Sequence, residues 1–395
     1  MKKRRLLAIL MCVSMMLAVA SGCGAGGETT TSDAIKIGFY GPLTGPTSLA
    51  GQASKNGADL AVEEINAQGG INGVPVELIA YDDKSSPEQA VKDVTKLIDS
   101  DHVQGIVASL HSGNILAAAP VIEEAKVPTV GLGTSPEWLQ KGYTYLFRSL
   151  ANNEYGNIGI CDLIEKMGYQ KVGILYRAED YSKFNADDIT AKLQERGISV
   201  VASESFPAKD TDYTAQITNI LNAQPDTIVS YAGSENLGLI LKQLRQKGYD
   251  GYLFGDQSLT MPDIREVAGA AADGAIFSAN YILPNDPEGA SNDIEKRFCQ
   301  SYIDKFGSMP ESDNAYRAYD AVYILARGIQ DAGSLEGEAV RDAIENITDL
   351  QGIAGTFNFK GNHGEGIDQV RNYIIMDGEI VLMDEAVEEQ VIANK

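Results

Sequence analysis

Cysteine, histidine and tryptophan are scarce in this chain. Its 395 residues include four cysteines, three histidines and one tryptophan. Cys12 and Cys23 fall in the N-terminal segment, which leaves Cys161 and Cys299 on separate helical stretches. Two lone thiols make no disulfide framework, and both read as small buried apolar residues. The fold must then hold through its core, which a chain of this length can do. His102, His111 and His363 sit on separate loops, poor material for a metal site or a triad. No G-x-x-x-x-G-K-[ST], H-E-x-x-H or C-x-x-C occurs, and no G-x-S-x-G. Gly131-Leu-Gly133 begins like a dinucleotide loop, but Thr134-Ser-Pro136 stands where the third glycine belongs. The adjacent acids Glu63-Glu64 and Asp82-Asp83 read as solvated surface pairs. The expectation is a non-enzyme with no metal and no cofactor.

Positive charge is short as well, with 32 Lys and Arg against 55 Asp and Glu. Four of the basic residues, Lys2-Lys3-Arg4-Arg5, crowd into the first five positions. The rest is strongly acidic, which excludes nucleic acid as a partner because that needs a basic surface. Long apolar runs are missing after the N-terminus, so no membrane-spanning segment is expected there.

The N-terminus itself is distinctive. The basic residues precede an apolar run from Leu6 to Ala20, the pattern of a signal peptide, too short to span a bilayer comfortably. Ala20-Ser21-Gly22-Cys23 resembles the lipobox of bacterial lipoproteins. That resemblance implies a signal peptide over 1–22, lipid on Cys23, and an extracytoplasmic protein anchored to the cell membrane. Ordinary cleavage near Ala20 or Gly22, with Cys23 a bystander, is the alternative. Residues 23–33 are rich in Gly and Thr and read as a flexible tether. Two or more acyl chains anchor stably where one does not.

The remaining ~370 residues suggest two domains of ordinary size. From Ile35 strand and helix alternate: Ile35 to Tyr40, then helical spacing in Ala58, Ala61, Val62 and Ile65. Gly69 and Gly70 end that helix. Val76 to Tyr81 is the next strand, and Pro87 opens a helix at its first position. The pattern continues to Val127–Gly131 and restarts after about Leu150, through strands at Lys171, Ile198 and Thr227. Residues 286–345 turn mostly helical, and short strands follow at Phe357, Val370 and Glu379. Such β-α-β repetition predicts parallel sheets with helices on both faces. Two doubly wound α/β lobes fit better than one giant sheet.

Several stretches then carry a family resemblance. Ile37-Gly-Phe-Tyr-Gly-Pro-Leu-Thr-Gly-Pro46, Asn56-Gly-Ala-Asp-Leu-Ala61, Ile65-Asn-Ala-Gln-Gly-Gly-Ile-Asn-Gly73, Gly142-Tyr-Thr-Tyr-Leu-Phe-Arg148 and Ala318-Tyr-Asp-Ala321 resemble the Leu/Ile/Val-binding proteins. These are the type I periplasmic binding proteins of branched-chain amino acid ABC importers. The resemblance implies two Rossmann-like lobes joined by three crossovers, with the ligand between them. One lobe would comprise 34–150 and 279–359, the other 151–278 and 360–386, with a tail over 387–395. It implies a monomer that hands an amino acid or analogue to permease subunits. A sensing lobe of the same fold, feeding a signalling receptor with a carboxylate or amide solute, stays open as an alternative.

The resemblance also implies a site. The loop Leu110-His-Ser-Gly-Asn114 offers Ser112 and a helix N-terminus to a carboxylate, unless Ser112 only caps its own helix. Leu132, Gly133 and Thr134 end the next strand, although Thr134-Ser-Pro-Glu137 also reads as a capping box. Tyr181, Tyr231 and Ser234 would face the cleft from the second lobe. For the ligand's ammonium the candidates are Asp256 and Gln257. An amide cannot neutralise an ammonium, so either Asp256 turns inward or the ligand is not an ordinary α-amino acid. Ala50 stands where the family often has an aromatic wall. Ser85 and His111 occupy the positions of a cystine found in some members.

Overall fold

The computed structural model describes residues 34–395, apart from the side chains of residues 234 and 235. The stretches read as a signal peptide and a tether, with Cys23, lie outside the described residues. Five strands, β1 (Ile35–Gly41), β2 (Val76–Asp82), β3 (Gly105–Ala108), β4 (Thr129–Gly131) and β5 (Leu146–Arg148), form a parallel sheet in the order β2-β1-β3-β4-β5. Four helices connect them: α1 (Ser48–Ala67), α2 (Pro87–Asp99), α3 (Ser112–Ala125) and the short α4 (Glu137–Gln140). The sequence sets their ends locally. Ser86 caps α2 through its hydroxyl, which accepts from the Gln89 N–H, and Pro87 follows at the first helical position.

β1 is buried at six of its seven positions, because helices cover both faces of a parallel sheet. The two faces feed separate cores. Ile37 and Phe39 pack with α1, whereas Tyr40 packs with residues of α2 and α3.

The second sheet repeats the plan. β6 (Lys171–Arg177), β7 (Ser199–Phe206), β8 (Thr227–Tyr231), β9 (Leu253–Gly255) and β10 (Ala275–Ala279) are parallel neighbours in the order β10-β9-β8-β6-β7. β13 (Arg371–Met376) and β14 (Glu379–Leu382) extend it antiparallel beside β10. Helices α5 (Asn153–Lys166), α6 (Asp180–Glu195), α7 (Thr214–Asn222), α8 (Ser234–Gln246) and α9 (Pro262–Ala268) belong to this half.

The chain passes between the sheets three times: after β5, after β10, and between the β11–β12 hairpin (Leu350–Gln351 with Thr356–Phe357) and β13. The middle passage delivers α10 (Asp293–Phe306), α11 (Asn314–Ala332) and α12 (Gly337–Glu345) back to the first sheet. α11 lies against α1 so closely that a Cβ on Gly57 would sit 1.9 Å from the Ala315 carbonyl oxygen. The residues read as a tail instead form α13 (Glu385–Ala393), whose start Asp384 caps and whose Val391 enters the second-lobe core. The molecule is thus an α/β protein of two doubly wound lobes. Among the described residues no helix is long and apolar enough to cross a membrane.

This topology locates a crevice. In the first sheet strand order reverses between β1 and β3, and in the second between β6 and β8. Ligands of open α/β sheets sit outside the carboxyl ends of strands at such switch points. Both switch points open onto the same cavity.

Candidate functional site

A cavity of about 340 Å³ lies between the lobes, within the range of small-molecule sites. Nearly every strand end of the two switch regions reaches it. The β1–α1 loop and the start of α1 bring Pro46, Thr47, Leu49 and Ala50, and the β3–α3 loop brings Leu110 to Asn114. Leu132 and Thr134 follow β4. From the second lobe come Arg177 with Glu179 to Tyr181, then Gly233, Gln257 and Ser258. Asp313, Asn314 and Arg317, around the N-terminus of α11, close one side.

The loop after β3 is held from below by Asp83. Its carboxylate is buried and accepts from Ser109 Oγ at 2.6 Å, Asn114 Nδ2 at 2.8 Å and the Ser85 N–H at 2.8 Å. The expectation of a solvated acid pair is therefore corrected. Asp82 gathers Leu43 and Thr44 in the neighbouring loop. Glu64 likewise accepts from Tyr319 and Tyr323 rather than facing water alone. An acid beside a switch-point loop is placed to neutralise several donors at once.

Ser112 is the first residue of α3, and His111 occupies the cap position without a side-chain cap bond. The Ser112 hydroxyl accepts from the Ser135 N–H at 3.2 Å. It does not cap its own helix; it ties the β3 loop to the β4 loop, and its proton is left to donate. The Asn114 and Ile115 amides already donate to the His111 carbonyl, but those of Ser112 and Gly113 meet no backbone carbonyl, so these two and the helix dipole offer an anion-binding corner. Gly133 makes room for that corner, since a Cβ there would lie 2.6 Å from Ser112 Oγ. Gly133 itself is not among the lining residues.

The capping box read at Thr134–Glu137 does not form. α4 starts after Pro136 with no side-chain cap, two residues later than a cap at Thr134 requires. Thr134 instead lines the cavity, 5 % exposed, and its hydroxyl reaches Tyr181 from across the cleft. The β4 loop owes its shape to Arg148, a residue that carried no role in the sequence reading. Its guanidinium is fully buried and donates to the carbonyls of Gly133 and Ser135, each at 2.7 Å. Nε lies 3.1 Å from the Glu365 carboxylate, and the group stacks on Trp138 at 4.2 Å. Burial pulls the guanidinium pKa down, and Glu365 opposes that pull.

Tyr181 lines the cavity from the start of α6. Its hydroxyl donates to Asp256 Oδ2 at 2.7 Å and accepts from Asn153 Nδ2 at 2.7 Å. Burial first, and the Asp256 charge second, raise the phenol well above its ordinary value, so it stays a neutral donor. Asp256 spends its other oxygen on the Ser258 N–H. It stands one hydrogen bond behind the cavity and does not line it. Gln257 does line it, and its Oε1 accepts from Arg317 Nη2 at 2.5 Å.

Tyr231 departs from expectation. It is fully buried in the second-lobe core, where its hydroxyl donates to Asn157. Side chains alternate between the faces of a strand, and at this last strand position the ring falls on the α5 side. Gly233 reaches the cavity instead. The Ser234 side chain lies outside the described residues. Ser85 and His111 are joined without sulfur: Thr47 Oγ1 lies 2.9 Å from Ser85 Oγ and 3.0 Å from His111 Nε2. Ala50 packs into the second-lobe core at 7 % exposure. Among the described residues no His, Cys, Asp and Glu group is placed to hold a metal.

Comparison with known proteins agrees with this architecture. A family described as "Periplasmic binding protein" matches residues 34–378. A leucine-, isoleucine-, valine-, threonine- and alanine-binding protein of Pseudomonas aeruginosa is 28% identical over 341 residues, 85% of this chain and 88% of its own length. Among solved structures, a leucine binding protein from Thermotoga maritima superposes with a TM-score of 0.81 at 28% identity, covering 89% of this chain and 98% of that one. The branched-chain amino acid transporter substrate binding protein of Streptococcus pneumoniae, in complex with isoleucine, gives 0.78 at 28% identity over 88% and 97% of the two chains.

Proposed function

This chain belongs to the periplasmic binding proteins of the Leu/Ile/Val-binding type, and we propose that it captures one amino acid between its lobes for an ABC importer. The reading rests on one observation above all. The β3–α3 loop presents Ser112 and an open helix N-terminus to the cavity, directly across from Tyr181. That corner suits an α-carboxylate, with each charge-assisted hydrogen bond contributing about 1.5–3 kcal/mol. Leu132, Gly133 and Thr134 shape the adjoining wall, while Asp256 acts on the ammonium through Tyr181.

Binding by lobe closure, with no chemical step, is the function we infer. The relatives are named for what they bind and transport, which supports that reading. We place the lobe boundaries at 34–150 with 279–359 and at 151–278 with 360–393, the last stretch including α13. The lipobox-like Ala20-Ser-Gly-Cys23 supports an extracytoplasmic protein tethered by lipid on Cys23, working as a monomer beside its permease.

A thermal-shift screen against the amino acids tests the function. A ligand at 100 times its Kd stabilises by about 2.7 kcal/mol, so a binder moves the melting point visibly. If no amino acid shifts it, the reading fails. Ser112→Ala should weaken the best ligand at least tenfold with the unliganded melting point nearly unchanged. Unaltered affinity would reduce Ser112 to a link between two loops.

A further inference from the structure

One end of the cavity is poorly suited to an aliphatic side chain. Arg317 lies in the first turn of α11, is 3 % exposed, and still lines the cavity. Its Nη2 donates both to Gln257 Oε1 and to the Asp313 carboxylate, while Nε is buried with no hydrogen-bond partner. A guanidinium carries five donors, and a buried donor left unmade is costly. With Nε unmet, the guanidinium is under-satisfied.

The contact also spans the cleft. Arg317 sits on a helix packed against the first sheet, and Gln257 follows β9 of the second. Whatever replaces or completes this contact therefore touches both lobes. The acceptors nearby are Gln257 Oε1 and the Asp313 carboxylate, so the pair of lobes presents donors and acceptors side by side. An aliphatic side chain would offer this polar contact neither an acceptor for the guanidinium nor a donor for the amide and carboxylate oxygens, which would keep only Arg317 Nη2. A carboxylate would satisfy the donors only. It would also enter a lining that already holds Glu179, Asp180, Asp263 and Asp313 against two guanidiniums, Arg177 and Arg317. A carboxamide brings a carbonyl for Arg317 and an N–H₂ for the acceptors, at no charge.

We propose that Arg317 and Gln257 read a carboxamide on the ligand's side chain, making the solute an amino acid of the asparagine or glutamine type. This rests on the amino-acid reading above. Shape cannot make the distinction, because asparagine and leucine branch at the same atom and are close in size. Hydrogen bonding can: a site built for polar groups rejects an analogue lacking them far more strongly than an apolar pocket rejects an added methylene.

Isothermal titration of the full-length chain in detergent, with asparagine, glutamine, aspartate, glutamate, leucine, isoleucine and valine, decides it. The expected result is an amide bound about 100-fold or more tighter than leucine, with Arg317→Met levelling the two. Gln257→Met gives the same test should Arg317→Met lose its far-UV dichroism. Leucine, isoleucine or valine binding as tightly as the amides would overturn the inference and leave the amino-acid function standing. A preference for aspartate or glutamate would overturn it equally. Failure of every amino acid would remove the functional reading itself.

Discussion

Replacing Arg148 by methionine should cost this protein about 4 kcal/mol of stability. Methionine keeps the unbranched stem as far as the position of Nε and removes every donor. The carbonyls of Gly133 and Ser135, each now served at 2.7 Å, would be left buried and unpaired at about 1–3 kcal/mol apiece. Glu365 would lose its cation, and removing one partner of a buried pair costs about 3–5 kcal/mol. Its side chain is 18 % exposed, so water relieves part of that penalty. Neighbouring losses also do not add in full. The chain has a single tryptophan, Trp138, lying 4.2 Å beneath the guanidinium. Urea unfolding followed by tryptophan fluorescence therefore reads the perturbed site directly. Glu365→Gln in the Arg148→Met background should recover part of the loss, because it removes the stranded charge. A destabilisation under about 1 kcal/mol would refute the reasoning, showing that the β4 loop holds its shape without the guanidinium.

Two further outcomes follow from buried groups. Burial pushes the Asp320 carboxyl up from 3.8 to about 7, although the Ile353 and Ala354 N–H groups pull it down. The folded chain then binds this proton more tightly than the unfolded chain, so stability from this group is full below about pH 4 and falls as pH rises towards 7. The fall is at most about 4 kcal/mol. Asp320→Asn should flatten that part of the profile in urea titrations between pH 4 and 8, and an unchanged slope would show that the carboxyl ionises freely. Burial likewise pushes the Cys161 and Cys299 thiols up to about 12. Neither should react with iodoacetamide at pH 8 until the chain is unfolded, and rapid labelling of the native protein would contradict their burial.

Much of the fold was legible because fully buried parallel strands appear as apolar runs, and Gly and Pro punctuate what lies between them. The elements that escaped share physical causes. β5 spans only three residues, and α5 carries two glycines within Asn153–Lys166, which weakens its helical signal. α13 was read as a tail, yet Asp384 before Glu385-Ala-Val387 is a cap signal that could have found it. Boundaries were least certain where a helix begins beside a proline, as the displaced start of α4 shows.

The site divides along the same line. Residues that follow a strand end, such as Ser112, Leu132 and Thr134, could be placed from sequence because topology sends every such loop towards the cleft. Residues that act from elsewhere could not. Asp83 sits after β2 and looks like half of a solvated pair until its three donors are seen. Arg317 lies inside a helix, 60 positions from the Gln257 it meets, and no local pattern marks it as cavity lining. The question left between Asp256 and Gln257 takes a different form once both are located. Asp256 is engaged by Tyr181 and a backbone amide, and Gln257 by Arg317. Neither is an idle acceptor waiting for an ammonium. Each belongs to a pair, and the two pairs present different chemistry to the cavity: a neutral phenol backed by an acid, and a guanidinium, charge-paired with Asp313, that donates to an amide. An ammonium is best served by the first, because the phenol oxygen is polarised by the carboxylate behind it. The second is then free to read the other end of the ligand, which is why the side chain, and not the α-amino group, is where this protein's selectivity should lie.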